Sequence, residues 1–146
     1  MWQTKNSLAE WKSLRKRIST ENLDVAISEV SKFWSYAPFV SHYLEPDNPG
    51  DWPNPWQLLD DNYFCDLAKA LGMFYTLGLS SHGSSIDIEL RIYVDPNNNY
   101  SHLVWIDQGK YIVNYWHDEV VNKTQVDEDL TLKHRYTAAD LNLHNY

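Results

Sequence analysis

The chain has 146 residues, of which 43% are hydrophobic and 14% aromatic, with seven Trp and ten Tyr. This length supports a single domain, residues 1–146, with a core of its own, and the composition excludes a disordered chain. The net charge of −8 repels phosphate backbones, so we expect no nucleic-acid partner. A Trp-rich core explains the aromatic content, but Trp and Tyr also anchor protein interfaces.

Cys65 is the only cysteine, which excludes an intrachain disulfide and a cysteine-based zinc site and fits a reducing compartment. The first residues lack the apolar segment of a signal peptide. The most apolar stretch, 64–79, is too short to span a bilayer, so no membrane association is expected. The histidines show no metal-ligand spacing, and no phosphate loop or nucleotide fingerprint is present, so we expect no metal and no cofactor.

The N-terminal part, residues 1–45, is predicted to be helical. A capping box from Ser7 to Glu10 opens a helix that reaches about residue 17. A second helix is predicted over 21–35, because its apolar residues recur at the helical period and form one stripe. The members of this stripe are Leu23, Ala26, Ile27, Val30, Phe33 and Trp34.

Residues 45–53 contain three prolines and a glycine and are predicted to form an irregular loop. Asn54 and Pro55 suit the N-cap and first position of a short helix. Asp61 and Asn62 then suit the cap of a longer helix that runs from 63 to 77 or 79. This helix is apolar nearly all round, so we place it at the centre of the molecule.

The period of the apolar residues changes to two at residue 86, which predicts a strand over 86–94. Segments 101–106 and 110–116 are predicted to form a hairpin. The mostly polar C-terminal part, 120–146, holds a candidate strand around Val126, Leu130 and Leu132 and a candidate cap at 137–140. Helices followed by antiparallel strands indicate an α+β fold, with the N-terminal helices packed on the sheet.

Cys65 is predicted to lie in the first turn of the central helix, where free N–H groups and the helix dipole favour a thiolate. A thiolate nucleophile also needs a proton-transfer partner, and His102, on a later strand, is the best candidate among the six histidines. The alternative is that Cys65 is an inert core residue, which is the commonest role of a cysteine beside Phe and Leu.

The hairpin turn supplies a candidate third member of this group. A three-residue turn, Asp107-Gln108-Gly109, pairs residue 106 with residue 110 and therefore places His102 opposite Asn114. An amide there can orient the imidazole ring. A two-residue turn would put Tyr115 opposite His102 instead. The pair is equally explained as an ordinary polar contact between strands.

The segment 52–116 resembles the transglutaminase-like (papain-like) cysteine family. The resemblance is carried by Pro55-Trp56-Gln57-Leu58-Leu59, Cys65-Asp66-Leu67-Ala68, Leu77-Gly78-Leu79 and Ser101-His102-Leu103-Val104-Trp105, in the family's order. It implies a nucleophile at Cys65, a base at His102 and an orienting residue at Asn114, in an acyltransferase or amide hydrolase. The pair Tyr63-Phe64 stands where the family has a small residue before the cysteine, which predicts bulk at the mouth of the site.

The strings Trp52-Pro53-Asn54-Pro55-Trp56 and Leu71-Gly72-Met73-Phe74-Tyr75 also resemble small proteins of tailed bacteriophages. This resemblance implies a location in the virion or the host cytoplasm and protein partners that include other virion proteins. Together with the aromatic content, it favours a structural or interaction component of the particle that retains a transglutaminase-like core. The cysteine enzyme that uses Cys65, His102 and Asn114 is the alternative.

Overall fold

A computed structural model describes Trp2 and residues 7–146. The described residues form four α-helices and a five-stranded antiparallel sheet, an α+β architecture with the helices before the strands. None of the helices in this part of the chain combines the length and the apolar character needed to cross a membrane.

The first two helices are α1, Ser7–Ile18, and α2, Leu23–Ser35. Helix α1 ends one residue beyond its predicted end at residue 17. Helix α2 starts two residues after its predicted start at residue 21. Ser7, predicted as the capping residue, belongs to α1 itself, and the residue that precedes it lies outside the described residues. The predicted stripe of α2 is confirmed at Ala26, Ile27, Val30 and Trp34, which are fully or almost fully buried.

The next two helices are α3, Pro55–Asp61, and α4, Asp66–Gly78. Asn54 caps α3 as predicted: its side chain accepts a hydrogen bond from the Gln57 N–H, and the Gln57 side chain accepts one from the Asn54 N–H. The predicted cap at 61–62 is wrong, because Asn62 has φ 59° and ends α3. Helix α4 therefore starts three residues later than predicted, and ten of its thirteen residues are buried.

The strands are β1, Ile88–Val94; β2, Tyr100–Ile106; β3, Tyr111–Val113; β4, Val120–Val121; and β5, Thr131–Thr137. They pair in the order β4-β3-β2-β1-β5, always antiparallel. Strand β1 starts two residues after the predicted position and β3 is much shorter than predicted. The C-terminal part contributes more than expected, because two of its segments are strands and its Leu141 and Leu143 are buried.

The predicted register of the β2–β3 hairpin is wrong by one residue. Ile106 pairs with Tyr111 and Val104 with Val113. The cause is the turn, in which Asp107, Gln108 and Gly109 all have positive φ and the Lys110 N–H closes the loop on the Asp107 carbonyl. The loop thus contains four residues instead of three, so His102 and Asn114 are not cross-strand partners.

Both faces of the sheet are covered. On one face, the helices pack against alternate strand residues, including Leu90, Ile92, Val104 and Ile106, to form the main core. On the other face a smaller cluster consists of Tyr93, Leu103, Ile112 and Val121, with Trp105, Tyr115, Val126 and Leu130 packed against it. His102 is two residues before Val104 and therefore lies on the helix-facing side of β2. This places it beside the start of α4.

Candidate functional site

Cys65 occupies the N-cap position of α4, one residue before the helix and not within its first turn as predicted. Its backbone is extended, its carbonyl accepts the Lys69 N–H, and its side chain makes no capping hydrogen bond. The preceding residue, Phe64, is fully buried and pairs with Phe39, and its carbonyl accepts the Val40 N–H. These contacts hold Cys65 in place at 5% exposure.

His102 lies near the start of β2, opposite Ile92 of β1, and its side chain is 12% exposed. Its ring nitrogen Nδ1 lies 2.8 Å from Oδ2 of Asp66, the first residue of α4. Since a carboxylate is an acceptor, Nδ1 carries the proton in this bond, and Nε2 is the acceptor when the ring is neutral. The remaining nitrogen has no hydrogen-bond partner among the described residues.

Asn114 also contacts His102 and Asp66, but not through the cross-strand pairing that was predicted. It follows β3 directly and has φ 68°, so the chain turns out of the strand at this residue. Its amide Nδ2 donates to the His102 carbonyl at 2.8 Å, to Asp66 Oδ1 at 3.2 Å and to the Asp66 carbonyl at 3.3 Å. Asn114 therefore contacts the backbone of His102 and not its ring.

Asp66 is the residue that connects this cluster, and the sequence did not single it out. Its carboxylate accepts from His102 through Oδ2 and from Asn114 through Oδ1. The available signal was an acidic residue next to the candidate cysteine, at the helix start where a negative charge is favourable. No hydrogen bond joins Cys65 to His102 in the part of the chain described. We call Asp66, His102 and Asn114 the polar clamp.

Asp66 and His102 of the polar clamp border a cavity of about 540 Å³, and Cys65 lines the same cavity. The cavity also contacts groups of both charges, namely His42, Glu45, Asp47, Lys133 and His134. His42 Nε2 lies 3.1 Å from Glu45 Oε1, and the His134 ring stacks on Tyr136. Phe39 and Tyr100 complete the lining with exposed aromatic rings.

The pair before the cysteine does not block this cavity. Phe64 is fully buried against Trp34 and Trp2, and Tyr63 is exposed with its ring 5.8 Å from that of Tyr43. Neither residue lines the cavity. The expectation of bulk at the mouth of the site is therefore wrong, because the backbone turns between Asn62 and Cys65 and directs Phe64 into the core.

Two ionisable groups next to the site have shifted pKa values. Burial lowers the pKa of Lys69, although Asp66 opposes this shift; its Nζ donates to the Ser35 carbonyl and lies over the Phe39 ring. Burial, with a hydrogen bond to Asp61, raises the pKa of Tyr43. Both groups are bonded to neighbouring residues, and neither lines the cavity.

The described residues contain no group of three or more His, Cys, Asp or Glu side chains placed to hold a metal ion. Comparison of the chain with protein-family models, with curated proteins and with solved structures finds no match.

Proposed function

We propose that this chain is a protein-binding component of a tailed-phage particle, built on a transglutaminase-like core. The observation that carries the binding role is a set of four exposed aromatic side chains, two of which line the cavity beside Asp66 and His102. Phe39 and Tyr100, which line the cavity, are 62% and 43% exposed. Tyr36 and Trp116 are 54% and 50% exposed. We call these four residues the aromatic rim.

The aromatic rim has the composition of a binding surface. Large rings that remain in water bury much apolar area when a partner covers them, and Trp and Tyr are frequent hot-spot residues. Phe39 and Tyr100 line one cavity, and the Tyr36 ring contacts the ring of His117, the residue after Trp116. A partner that covers this face would desolvate the cavity entrance as well.

The order of elements supports the transglutaminase-like core. Cys65 precedes helix α4, three antiparallel strands follow, His102 lies on the second of these strands, and Asn114 ends the third. This order is the one that the family resemblance implies. The proposed location in the virion rests on the resemblance to phage proteins, and it is tested by analysing purified phage particles.

The hydrogen bonds of the polar clamp favour a binding role over catalysis. Nδ1 of His102 is held by Asp66, and the Asn114 amide is held by the His102 carbonyl and Asp66, so these groups fix α4 to the sheet. No described hydrogen bond activates the Cys65 thiol. The cluster is a structural support that fixes the start of α4 to the sheet, beside Phe39 and Tyr100.

The proposal is tested in the phage that encodes the chain. Mass spectrometry of purified particles is expected to find the protein at a fixed copy number. Particles grown with Phe39→Ala and Trp116→Ala together should contain several-fold less of it, whereas Val25→Ala, a comparably exposed residue at the other end of α2, should not lower the copy number. Absence from particles, or equal incorporation of all variants, rejects the proposed role.

A second candidate function, cysteine-dependent acyl transfer or amide hydrolysis, is favoured by one observation: Cys65 and His102 line the same cavity. In this reaction the thiolate sulfur attacks an amide carbonyl carbon, and the C–N bond breaks as the leaving amine takes a proton from the His102 ring. Water or an amine then attacks the thioester and regenerates the thiol. Asp66 would hold the imidazole in the tautomer with Nε2 free.

Iodoacetamide labelling tests this second candidate, since Cys65 is the only thiol. Activation predicts labelling at pH 7 faster than that of free cysteine, and a decrease of about tenfold or more in His102→Ala. His42→Ala, which removes another cavity histidine, is the control and should label like the parent. Slow labelling that is equal in all three proteins rejects the enzyme.

A further inference from the structure

One wall of the cavity is made of chain that has no regular structure. Residues 39–47, which follow α2 and contain no helix or strand, supply half of the residues that line the cavity. The other half comes from the N-cap and start of α4, from β2 and from β5. Cys65 is almost completely buried among them. The irregular wall is therefore the part that can move without breaking a helix or the sheet.

Backbone groups fix both ends of this wall. At one end, the Val40 N–H donates to the Phe64 carbonyl at 3.2 Å. At the other end, the Glu45 carbonyl accepts the indole N–H of Trp52 at 2.8 Å. Between these points, the backbone groups of residues 41–44 make no hydrogen bond within the part of the chain that the structure describes. We call residues 41–44 the lid. A segment without such bonds belongs to the least stable parts of a fold, which open locally.

Two side chains hold the lid closed. Leu44 is buried and lines the cavity. Tyr43 does not line the cavity, and its hydroxyl donates to the carboxylate of Asp61, the last residue of α3. Among the described residues, this is the one hydrogen bond that joins the lid to another element. The exposed His42 pairs only with Glu45, at the end of the lid itself, so it adds no bond to the rest of the fold.

We propose that the lid opens and closes over Cys65, and that the hydrogen bond from Tyr43 to Asp61 is the latch that keeps it closed. Opening breaks this bond and lifts Leu44 out of the core, while the two fixed ends act as hinges. The open state gives molecules larger than water access to the thiol. The closed state keeps the thiol almost completely buried, as the structure has it.

This inference goes beyond the proposed function, because it concerns entry to the cavity and not the partner that covers the aromatic rim. None of the four rim residues belongs to the lid, so the copy-number test in phage particles does not depend on it. For either candidate function, the lid decides which molecules reach Cys65 and the His102 ring. Since the latch is a single bond, removal of one hydroxyl group should shift the population of the open state.

Reaction of Cys65, the only thiol, with a bulky maleimide at pH 7 measures the population of the open lid. Tyr43→Phe keeps the ring and removes the latch, so it should raise the labelling rate about three- to tenfold. Tyr63→Phe is the matched control and should label like the parent. It removes the hydroxyl of the exposed ring beside Tyr43, which makes no hydrogen bond among the described residues. Asp61→Ala should act like Tyr43→Phe, and the double variant should label no faster than either single variant, because all three lack the same bond.

Low concentrations of urea separate opening of the lid from unfolding of the whole chain. Local opening exposes little surface, so the labelling rate should stay nearly constant in urea, whereas labelling through global unfolding rises steeply with urea. The proposal is overturned by a parent thiol that reacts as fast as that of the urea-unfolded chain, or by a labelling rate that follows global unfolding. Equal rates for Tyr43→Phe and Tyr63→Phe would overturn it as well.

Discussion

The hydroxyl of Thr76, on α4, is the centre of a buried hydrogen-bond network whose removal gives a sharp test of the core. Thr76 Oγ1 accepts from the indole Nε1 of Trp11 at 2.8 Å and from that of Trp34 at 2.9 Å, and it donates to the Gly72 carbonyl at 2.6 Å. All three side chains are at most 1% exposed. Helices α1, α2 and α4 are therefore joined at one oxygen atom.

We expect Thr76→Val to lower the free energy of unfolding by about 2–6 kcal/mol, because two buried indole N–H groups lose their acceptor at about 1–3 kcal/mol each. Valine has nearly the shape of threonine, so no cavity contributes. Thr76→Ser is the matched control, since it keeps the hydroxyl and removes one methyl group at a cost of about 1 kcal/mol.

Urea unfolding, followed by tryptophan fluorescence and circular dichroism, measures both variants. A double-mutant cycle with Trp11→Phe adds a second test: in the Thr76→Val background this substitution no longer removes a hydrogen bond, so its cost should differ from that in the parent by about 1 kcal/mol or more. The reasoning is refuted if Thr76→Val is as stable as Thr76→Ser, or if the two single costs are additive.

Two further predictions concern packing and pH. Gly72→Ala should destabilise the chain by about 1–3 kcal/mol in the same urea assay, because the new methyl carbon would lie 2.5 Å from the Trp34 ring, whereas Gly50→Ala meets no atom closer than 4.0 Å and should be nearly neutral. The pKa of Glu89 is lowered from its ordinary 4.5, chiefly by its hydrogen bond with Arg135. The stability that this carboxylate contributes is present above pH 4.5 and is lost as the pH falls through the lowered pKa. Glu89→Gln should therefore lower the free energy of unfolding at pH 7, and lower it progressively less below pH 4.5. Stability–pH profiles of the parent and the variant that run parallel would contradict this.

Local sequence patterns were sufficient to predict most of the secondary structure. The buried stripe of α2, the Asn54 cap of α3 and the central position of α4 each follow from apolar spacing or from capping preferences within a few residues. Alternation of apolar residues predicted β1, and the hairpin about Asp107-Gln108-Gly109 predicted most of β2. The class, helices packed on an antiparallel sheet, followed from the order of these elements.

The errors lie where one residue adopts an unusual backbone conformation. Asn62 was predicted to start a helix, but its positive φ ends one instead, so Cys65 is an N-cap residue. Positive φ at both Asp107 and Gln108 lengthens the hairpin loop and shifts the register. Asparagine and aspartate tolerate either conformation, so the choice is made by packing between distant segments and not by the local sequence.

The candidate site also combines a part that the sequence predicted with a part that it did not. Cys65 and His102 were predicted to meet on the basis of element order, and they do border one cavity. The role of Asp66 was not predictable, because it depends on how far α4 is shifted along the chain. Had α4 started at residue 63 as predicted, Asp66 would have been the fourth residue of the helix and not its first. The start at Asp66 places its carboxylate beside both His102 and Asn114.

The two candidate functions make different demands on this arrangement, and the structure separates the groups that meet them. Catalysis requires the thiol, which is 5% exposed in the cavity wall, and a ring nitrogen of His102 directed toward it. Binding requires only the exposed rings of the aromatic rim, two of which line the cavity, and a rigid support for them. The bonds of Asp66 and Asn114 provide that support whether or not Cys65 reacts, because none of them involves the sulfur atom. Loss of the thiol would therefore leave the polar clamp and the aromatic rim unchanged, whereas loss of the polar clamp would disturb the cavity wall that contains Cys65.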